Sequence, residues 1–194
     1  MHHIYHTRGI ILGSVPIGGS NRFYKILTED LGLVGASAQA VREGKSKLRY
    51  ALQDFSQVSV DLVQGKEVWR ITSAAEEMPY PRMKADVARL RLFARACALV
   101  QRLVHGEGRE DALLADICGA AQFLEKESVP PHLEMAFEAL AVFRALALLG
   151  YLYPAGHERF VELGTWSADM LKDFETIRVA TTPRINDALH ASQL

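Results

Sequence analysis

Between Tyr5 and Thr28 the chain reads Tyr5-His6-Thr7-Arg8-Gly9-Ile10-Ile11-Leu12, a turn at Gly18-Gly19-Ser20, and then Arg22-Phe23-Tyr24-Lys25-Ile26-Leu27-Thr28. Both runs are rich in side chains that pack well on a pleated surface, and the glycines between them permit a reversal. Gly9, lacking a Cβ, predicts a bulge or a sharp bend. Further along, Asp30-Leu31-Gly32 turns the chain into Leu33 to Ala40, where Gly35 and small residues suit tight curvature. Arg42 to Lys47 is a basic loop around Gly44, and Leu48 to Phe55 predicts one or two helical turns. Val58, Val60 and Leu62 alternate with Ser59 and Asp61, and Gln64-Gly65-Lys66 turns into a last strand over Glu67 to Ala74. Five short curved strands predict a small β-barrel, which removes sheet edges by closing.

Pro79 and Pro81 punctuate the chain, and everything beyond them reads as helix, at roughly 82–104, 110–126, 131–150, 164–176 and 183–191. Gly106 and Gly108 end the first, Pro130-Pro131 opens the third, and Gly150 and Pro154 stop it. Thr182 before Pro183 reads as the N-cap of the last. The expected architecture is α+β: residues 1–78 form a nucleic-acid-binding barrel, and residues 79–194 a helical domain carrying DNA and partner contacts.

Composition narrows the function class. Of 194 residues, 49% are hydrophobic and 23% charged, ordinary globular values that exclude global disorder or a fibre. No apolar stretch reaches the ~18 residues needed to cross a bilayer, so no membrane partner is expected. The N-terminus has no apolar core of a secretory signal, and Cys97 and Cys118 lie within apolar helical patterns, so a cytoplasmic, reduced location is expected. The net charge of −1 conceals an asymmetry: residues 1–102 carry 15 Lys+Arg against 9 Asp+Glu, and residues 103–194 carry 7 against 14. A basic half joined to an acidic half predicts a polyanion facing the first.

No catalytic pattern stands out. Neither cysteine has a neighbouring histidine or helix N-terminus to activate it, and no G-x-S-x-G is present. Gly44-Lys45-Ser46 ends like a phosphate loop, but Gln39 occupies the position of its first glycine. His2, His3 and His6 cluster without an acidic or thiolate companion, the remaining histidines are scattered, and no C-x-x-C exists, so neither a metal nor any other cofactor is expected.

The basic residues carry more information. Arg22 and Lys25 share a strand, and Arg42, Lys45, Lys47 and Arg49 follow the third strand. Tyr5, Phe23, Tyr24, Tyr50 and Trp69 are interleaved with them. Cations that track phosphates and aromatic faces that stack on bases are how single strands are held. At least half of these aromatics are expected to fill the barrel. Tyr24 and Trp69 are the stacking candidates, and alternation leaves open which of Phe23 and Tyr24 faces outward. In the helix expected at 82–104, Lys84, Arg91, Arg95 and Arg102 fall on one stripe at roughly 100° per residue, and with the barrel cations they are expected to engage DNA phosphates. Most other directions around that helix are apolar.

These residues resemble the bacterial recombination mediator family RecO. The resemblance runs through Tyr5 to Leu12, Gly19-Ser20-Asn21-Arg22, Thr28-Glu29-Asp30-Leu31-Gly32-Leu33 and Lys45-Ser46-Lys47-Leu48, reaching Phe55. It returns at Phe143-Arg144-Ala145-Leu146-Ala147-Leu148-Leu149-Gly150-Tyr151. It implies an N-terminal OB-fold, a C-terminal helical domain and a non-catalytic role in recombinational repair. That role comprises binding single- and double-stranded DNA, annealing strands, and assisting recombinase loading with RecR and the C-terminal tail of the single-strand-binding protein. Arg22, Lys45 and Lys47 match basic positions of the family's barrel. Gly19 and Gln39 depart from the pattern, and no cysteine follows the Gly150-Tyr151 block, where many members carry a four-cysteine zinc module. A short, metal-free variant is therefore expected, with a helix near Gly164 to Thr176 replacing the module and Arg144 or Arg159 anchoring an acidic protein tail. The alternative is a protein-interaction adaptor whose barrel no longer binds nucleic acid.

Overall fold

A computed structural model of the protein describes residues 3–106 and 108–192; His2, weighed above as a metal ligand, lies outside them. The chain divides into two compact units, one comprising Met1–Pro79 with His105–Leu114 and the other Tyr80–Val104 with Ala115–Leu194.

In the first unit, β1 (Ile4–Pro16), β2 (Arg22–Thr28), β3 (Gly32–Ala38), β4 (Gln57–Gln64) and β5 (Trp69–Met78) close into a barrel in the order β1-β2-β3-β5-β4. This is the five-stranded OB-fold that the resemblance implies. Closure depends on the long β1, which pairs with β4 from Ile4 to Ile10 and with β2 from Gly9 to Pro16. Gly9 belongs to both ladders, and a Cβ there would stand 2.4 Å from the Leu27 carbonyl oxygen. Its glycine thus serves close backbone approach, and the register irregularity falls instead between Ile11 and Gly13. β3 meets β5 in parallel at Ala36↔Trp69 and Ser37↔Arg70. Alternation sends Tyr24, Ile26, Val34, Ala36, Val58, Val60 and Leu62 inward to one core, as period-2 patterning requires. Between β3 and β4, only the single turn α1 (Leu48–Ala51) is helical.

The second unit holds α2 (Pro81–Ala85), α3 (Val87–Leu103), α5 (Glu134–Leu148), α6 (Ala168–Ala191) and most of α4 (Asp111–Lys126), with 3-10 turns at Pro131–Leu133 and Glu158–Val161. Two expectations are corrected here. The helix read at 82–104 is two helices: Asp86 is extended, and its carboxylate accepts from the backbone N–H of Ala88 at 2.9 Å and of Arg89 at 3.2 Å, capping α3. The helices read at 164–176 and 183–191 are one, running through Pro183. The hydroxyls of Thr181 and Thr182 donate back to the Arg178 carbonyl, and buried Leu171, Phe174, Thr181, Ile185 and Ala188 hold both halves against the unit's interior.

At the centre of this unit Arg144 is 1% exposed and fully engaged. Its guanidinium donates to the Asp116 carboxylate at 2.7 Å, the Phe160 carbonyl at 2.6 Å and the Thr165 hydroxyl at 2.7 Å. The Trp166 indole N–H donates to the same Asp116 oxygen at 2.9 Å. The segment after Tyr151 is thereby tied to α5. It forms a 3-10 turn and loop, and the helix expected from Gly164 begins at Ala168.

Candidate nucleic-acid interface

Most of the barrel's cations make no ion pair among the described residues. Among the described residues, the barrel's only arginine–carboxylate pair is Arg8 with Glu29 at 3.2 Å, whereas Arg22, Lys25, Arg42, Lys45, Lys47, Arg49, Lys66 and Arg70 make no ion pair. The neighbouring carboxylates have other partners: Asp30 accepts from the Thr7 hydroxyl, Glu43 from Ser20, Asp54 from Ser14, Glu76 from Ser56, and Asp61 pairs with His6, while Glu67 borders the same cleft as Lys25 and Lys66. Charges without local partners keep their full field for an external anion.

The expected residues fall into three places on this unit. Arg22, Arg42 and Arg49 converge on one recess at the β3–β4 connection. Lys45 and Lys47 are exposed on the loop preceding α1. Lys25 stands on the outer face of β2, its ammonium 5.7 Å from the centroid of the Phe23 ring.

The stacking candidates are corrected. Tyr24 is 0% exposed and Trp69 6% exposed, both within the barrel core, and Tyr5 packs edge-on against Trp69 at 5.1 Å. Neither ring offers a face to a base. Phe23, on the opposite side of β2, is the outward aromatic: half-buried, it lies across Gly35 of β3, where an added Cβ would come within 2.6 Å of its ring. Beside Phe23, a cleft of about 280 Å³ is lined by Lys25, by Lys66 and Glu67 of the β4–β5 turn, and by Trp69. Lys66 and Arg70 are the functional candidates that sequence reasoning missed, and of the pair left open by alternation it is Phe23 that faces outward. The Gly35 opposite Phe23 is the one signal for its orientation, since an aromatic ring covers the gap that a strand glycine leaves.

In the second unit, the break at Asp86 places Lys84 on α2, off the helix that carries the other three cations. Arg91, Arg95 and Arg102 remain on one exposed stripe of α3. Arg95 is paired with Glu138 of α5, while Arg91 and Arg102 have no ion pair among the described residues. Arg95 and Arg102 flank an apolar groove of about 270 Å³ between α3 and α5, floored by Leu92, Ala96, Phe137 and Ala141. Arg144 is no anchor for a tail, because burial and the Asp116 pairing consume it. Arg159 is exposed and pairs with Asp173 at 3.2 Å. No helix among the described residues is long and apolar enough to cross a membrane.

Residues 1–77 match the family model described as "Recombination protein O N terminal". The chain is 29% identical over 150 residues to the DNA repair protein RecO of Gloeothece citriformis, covering 75% of this chain and 51% of that protein. It is 31% identical over 110 residues to the RecO of Dehalococcoides mccartyi, covering 57% and 42%. With the RecO of Acaryochloris marina the identity is 37% over 90 residues, covering 46% and 31%. The matches span about half or less of the length of these three relatives. With the barrel order already in place, these matches make the chain similar to the RecO proteins, and its barrel similar to their N-terminal domain.

Proposed function

We infer that the protein acts in DNA repair and recombination by holding single-stranded DNA on the outer face of its barrel. The observation that carries this reading is the set of eight barrel cations without an ion pair among the described residues, two of which, Lys25 and Lys66, border the cleft beside the outward-facing Phe23. Lys25 and Lys66 border the Phe23 cleft, so a base stacked on Phe23 has cations for its flanking phosphates. Lys45 and Lys47 extend the track along the next loop. The role is one of binding, and annealing of complementary strands and assistance to recombinase loading belong to it as the family's activity. Double-stranded DNA would meet the same cations through its phosphates alone.

A second reading concerns the helical unit. The groove between α3 and α5 combines an apolar floor with Arg102, which makes no ion pair among the described residues, and Arg95, held by Glu138 at the same rim. That chemistry suits a peptide whose end is acidic and apolar, such as the C-terminal tail of the single-strand-binding protein. RecR is a further proposed partner, assigned to no surface here. An adaptor without nucleic-acid binding would keep the groove and leave the barrel cations idle.

A salt titration tests the first reading. If about four phosphates are contacted, the logarithm of single-strand affinity falls against log salt with a slope near −0.7 per contact. Fluorescence anisotropy with a labelled oligonucleotide measures it. The Lys45→Glu/Lys47→Glu variant should show a slope about 1.4 units shallower. A flat salt dependence in the unmodified protein refutes strand binding and leaves the adaptor.

A further inference from the structure

The recess at the β3–β4 connection is built differently from the rest of the barrel surface. Its volume is about 430 Å³, and its floor is Tyr24, which belongs to the barrel core. Arg22, Arg42 and Arg49 stand around it. Arg22 is held in place: its Nε and Nη2 donate to the Ser14 hydroxyl at 3.2 and 2.7 Å. That hydroxyl spends its own proton on Asp54 at 2.5 Å. Arg42 is steadied by donating to the Gly19 carbonyl at 3.3 Å, and the Arg49 guanidinium makes no hydrogen bond or ion pair among the described residues. The Tyr24 hydroxyl is completely buried beside the Arg22 guanidinium, and its proton has no acceptor among the described residues. A buried donor without an acceptor is costly and rare in native proteins. Here it lines a recess ringed by three guanidinium groups.

What this constellation lacks is an anion with several acceptor oxygens. Three arginines against the single carboxylate of Asp54 leave two positive charges. An internal phosphodiester carries one negative charge, whereas a phosphomonoester carries about −1.5 to −2 at neutral pH. An internal phosphate also continues into chain on both sides, whereas a terminal one brings its extra oxygen and charge to the three guanidinium groups. A terminal group enters end-on. We propose that this recess binds the terminal phosphate of a nucleic-acid strand, with the Tyr24 hydroxyl donating to one phosphate oxygen and Arg22, Arg42 and Arg49 facing the others. The proposal rests on the strand-binding reading above and adds to it a preference for phosphorylated ends. Burial pushes the Tyr24 phenol up to about 12, so the donor keeps its proton throughout the working range.

The test compares three versions of one oligonucleotide at constant ionic strength: a 5′-phosphate, a 3′-phosphate and both ends hydroxyl, each labelled internally. At least one phosphorylated form should bind about tenfold more tightly than the hydroxyl form, the scale of one added set of charge-assisted hydrogen bonds. Arg49→Gln and the near-isosteric Tyr24→Phe should each abolish that preference while leaving binding of the hydroxyl form measurable. Equal binding of all three forms by the unmodified protein overturns the proposal and leaves strand binding intact. If no strand binds at all, the strand-binding reading fails, and titration with thymidine 5′-monophosphate then decides the recess on its own. Saturable binding lost in Tyr24→Phe supports the phosphate site, and no binding overturns it.

Discussion

Two buried polar residues show how far single positions depart from what their type announces. Arg144 sits inside an apolar helical run and reads as a cation available for a partner. Its environment makes it structural instead. Burial pushes the Asp116 carboxyl up, while the Arg144 guanidinium and the Trp166 indole pull it back. Asp116→Ala leaves Arg144 buried without its counter-charge, a change that costs about 3–5 kcal/mol in comparable sites. Denaturant unfolding should show that loss, and the double variant Asp116→Leu/Arg144→Met should recover most of it; a double variant as unstable as the single one would contradict the account. Tyr24 titrates with a definite sign. Its proton is held to about pH 12 in the folded protein and leaves near 10 when unfolded. Between those values the unfolded chain binds fewer protons, so stability falls as pH rises, by about 1.4 kcal/mol per unit for each such group. Tyr80, raised by burial in the same direction, adds to the slope. Tyr24→Phe should therefore make the decline between pH 10 and 12 markedly shallower, and an unchanged slope would show that Tyr24 is not protected. Neither residue's role was visible in the sequence, because spacing along a strand or helix does not reveal which polar side chains find partners from distant segments.

The elements themselves were legible where patterning and punctuation agreed. Strand β2 runs from Arg22 to Thr28 as read, and α4 begins within one residue of its expected start, because glycine turns and hydrophobic periodicity mark both. The failures lie where one side chain overrules the pattern. Asp86 interrupts a continuous apolar stripe by accepting two backbone N–H groups, which no periodicity records. Pro183 was read as a helix start because proline lacks an N–H and its ring crowds the preceding turn, at a cost of about 3 kcal/mol in a helix interior. Packing of both flanking halves outweighs that cost in α6. Pro183→Ala should then raise the midpoint of thermal unfolding, with a gain of up to about 3 kcal/mol reduced by the looser unfolded chain. A lower midpoint would mean that Pro183 fixes a bend that the packing of α6 requires.

At the scale of the whole chain, the charge asymmetry was the strongest functional signal in the sequence, yet it does not map onto the barrel alone. Through Pro79 the chain carries 9 Lys+Arg and 8 Asp+Glu; the excess comes from the stretch that follows, up to Arg102. The strand binding proposed for the barrel rests on arrangement, since eight of its cations are not ion-paired among the described residues. Such sorting depends on strand register and was not readable from composition. The α3 cations have a different setting, with Arg95 and Arg102 beside an apolar groove, which favours a peptide over a phosphate chain. Charge reversal separates the two roles. Lys45→Glu/Lys47→Glu/Arg49→Glu should weaken single-strand binding by more than tenfold at low salt, the scale of losing several phosphate contacts. The same variant should leave binding of an acidic, apolar-ended peptide to the helical unit unchanged. Arg91→Glu/Arg95→Glu/Arg102→Glu should do the reverse, abolishing peptide binding and lowering strand affinity only modestly. If both sets abolish strand binding equally, the α3 stripe belongs to the DNA surface and the groove is not a separate peptide site.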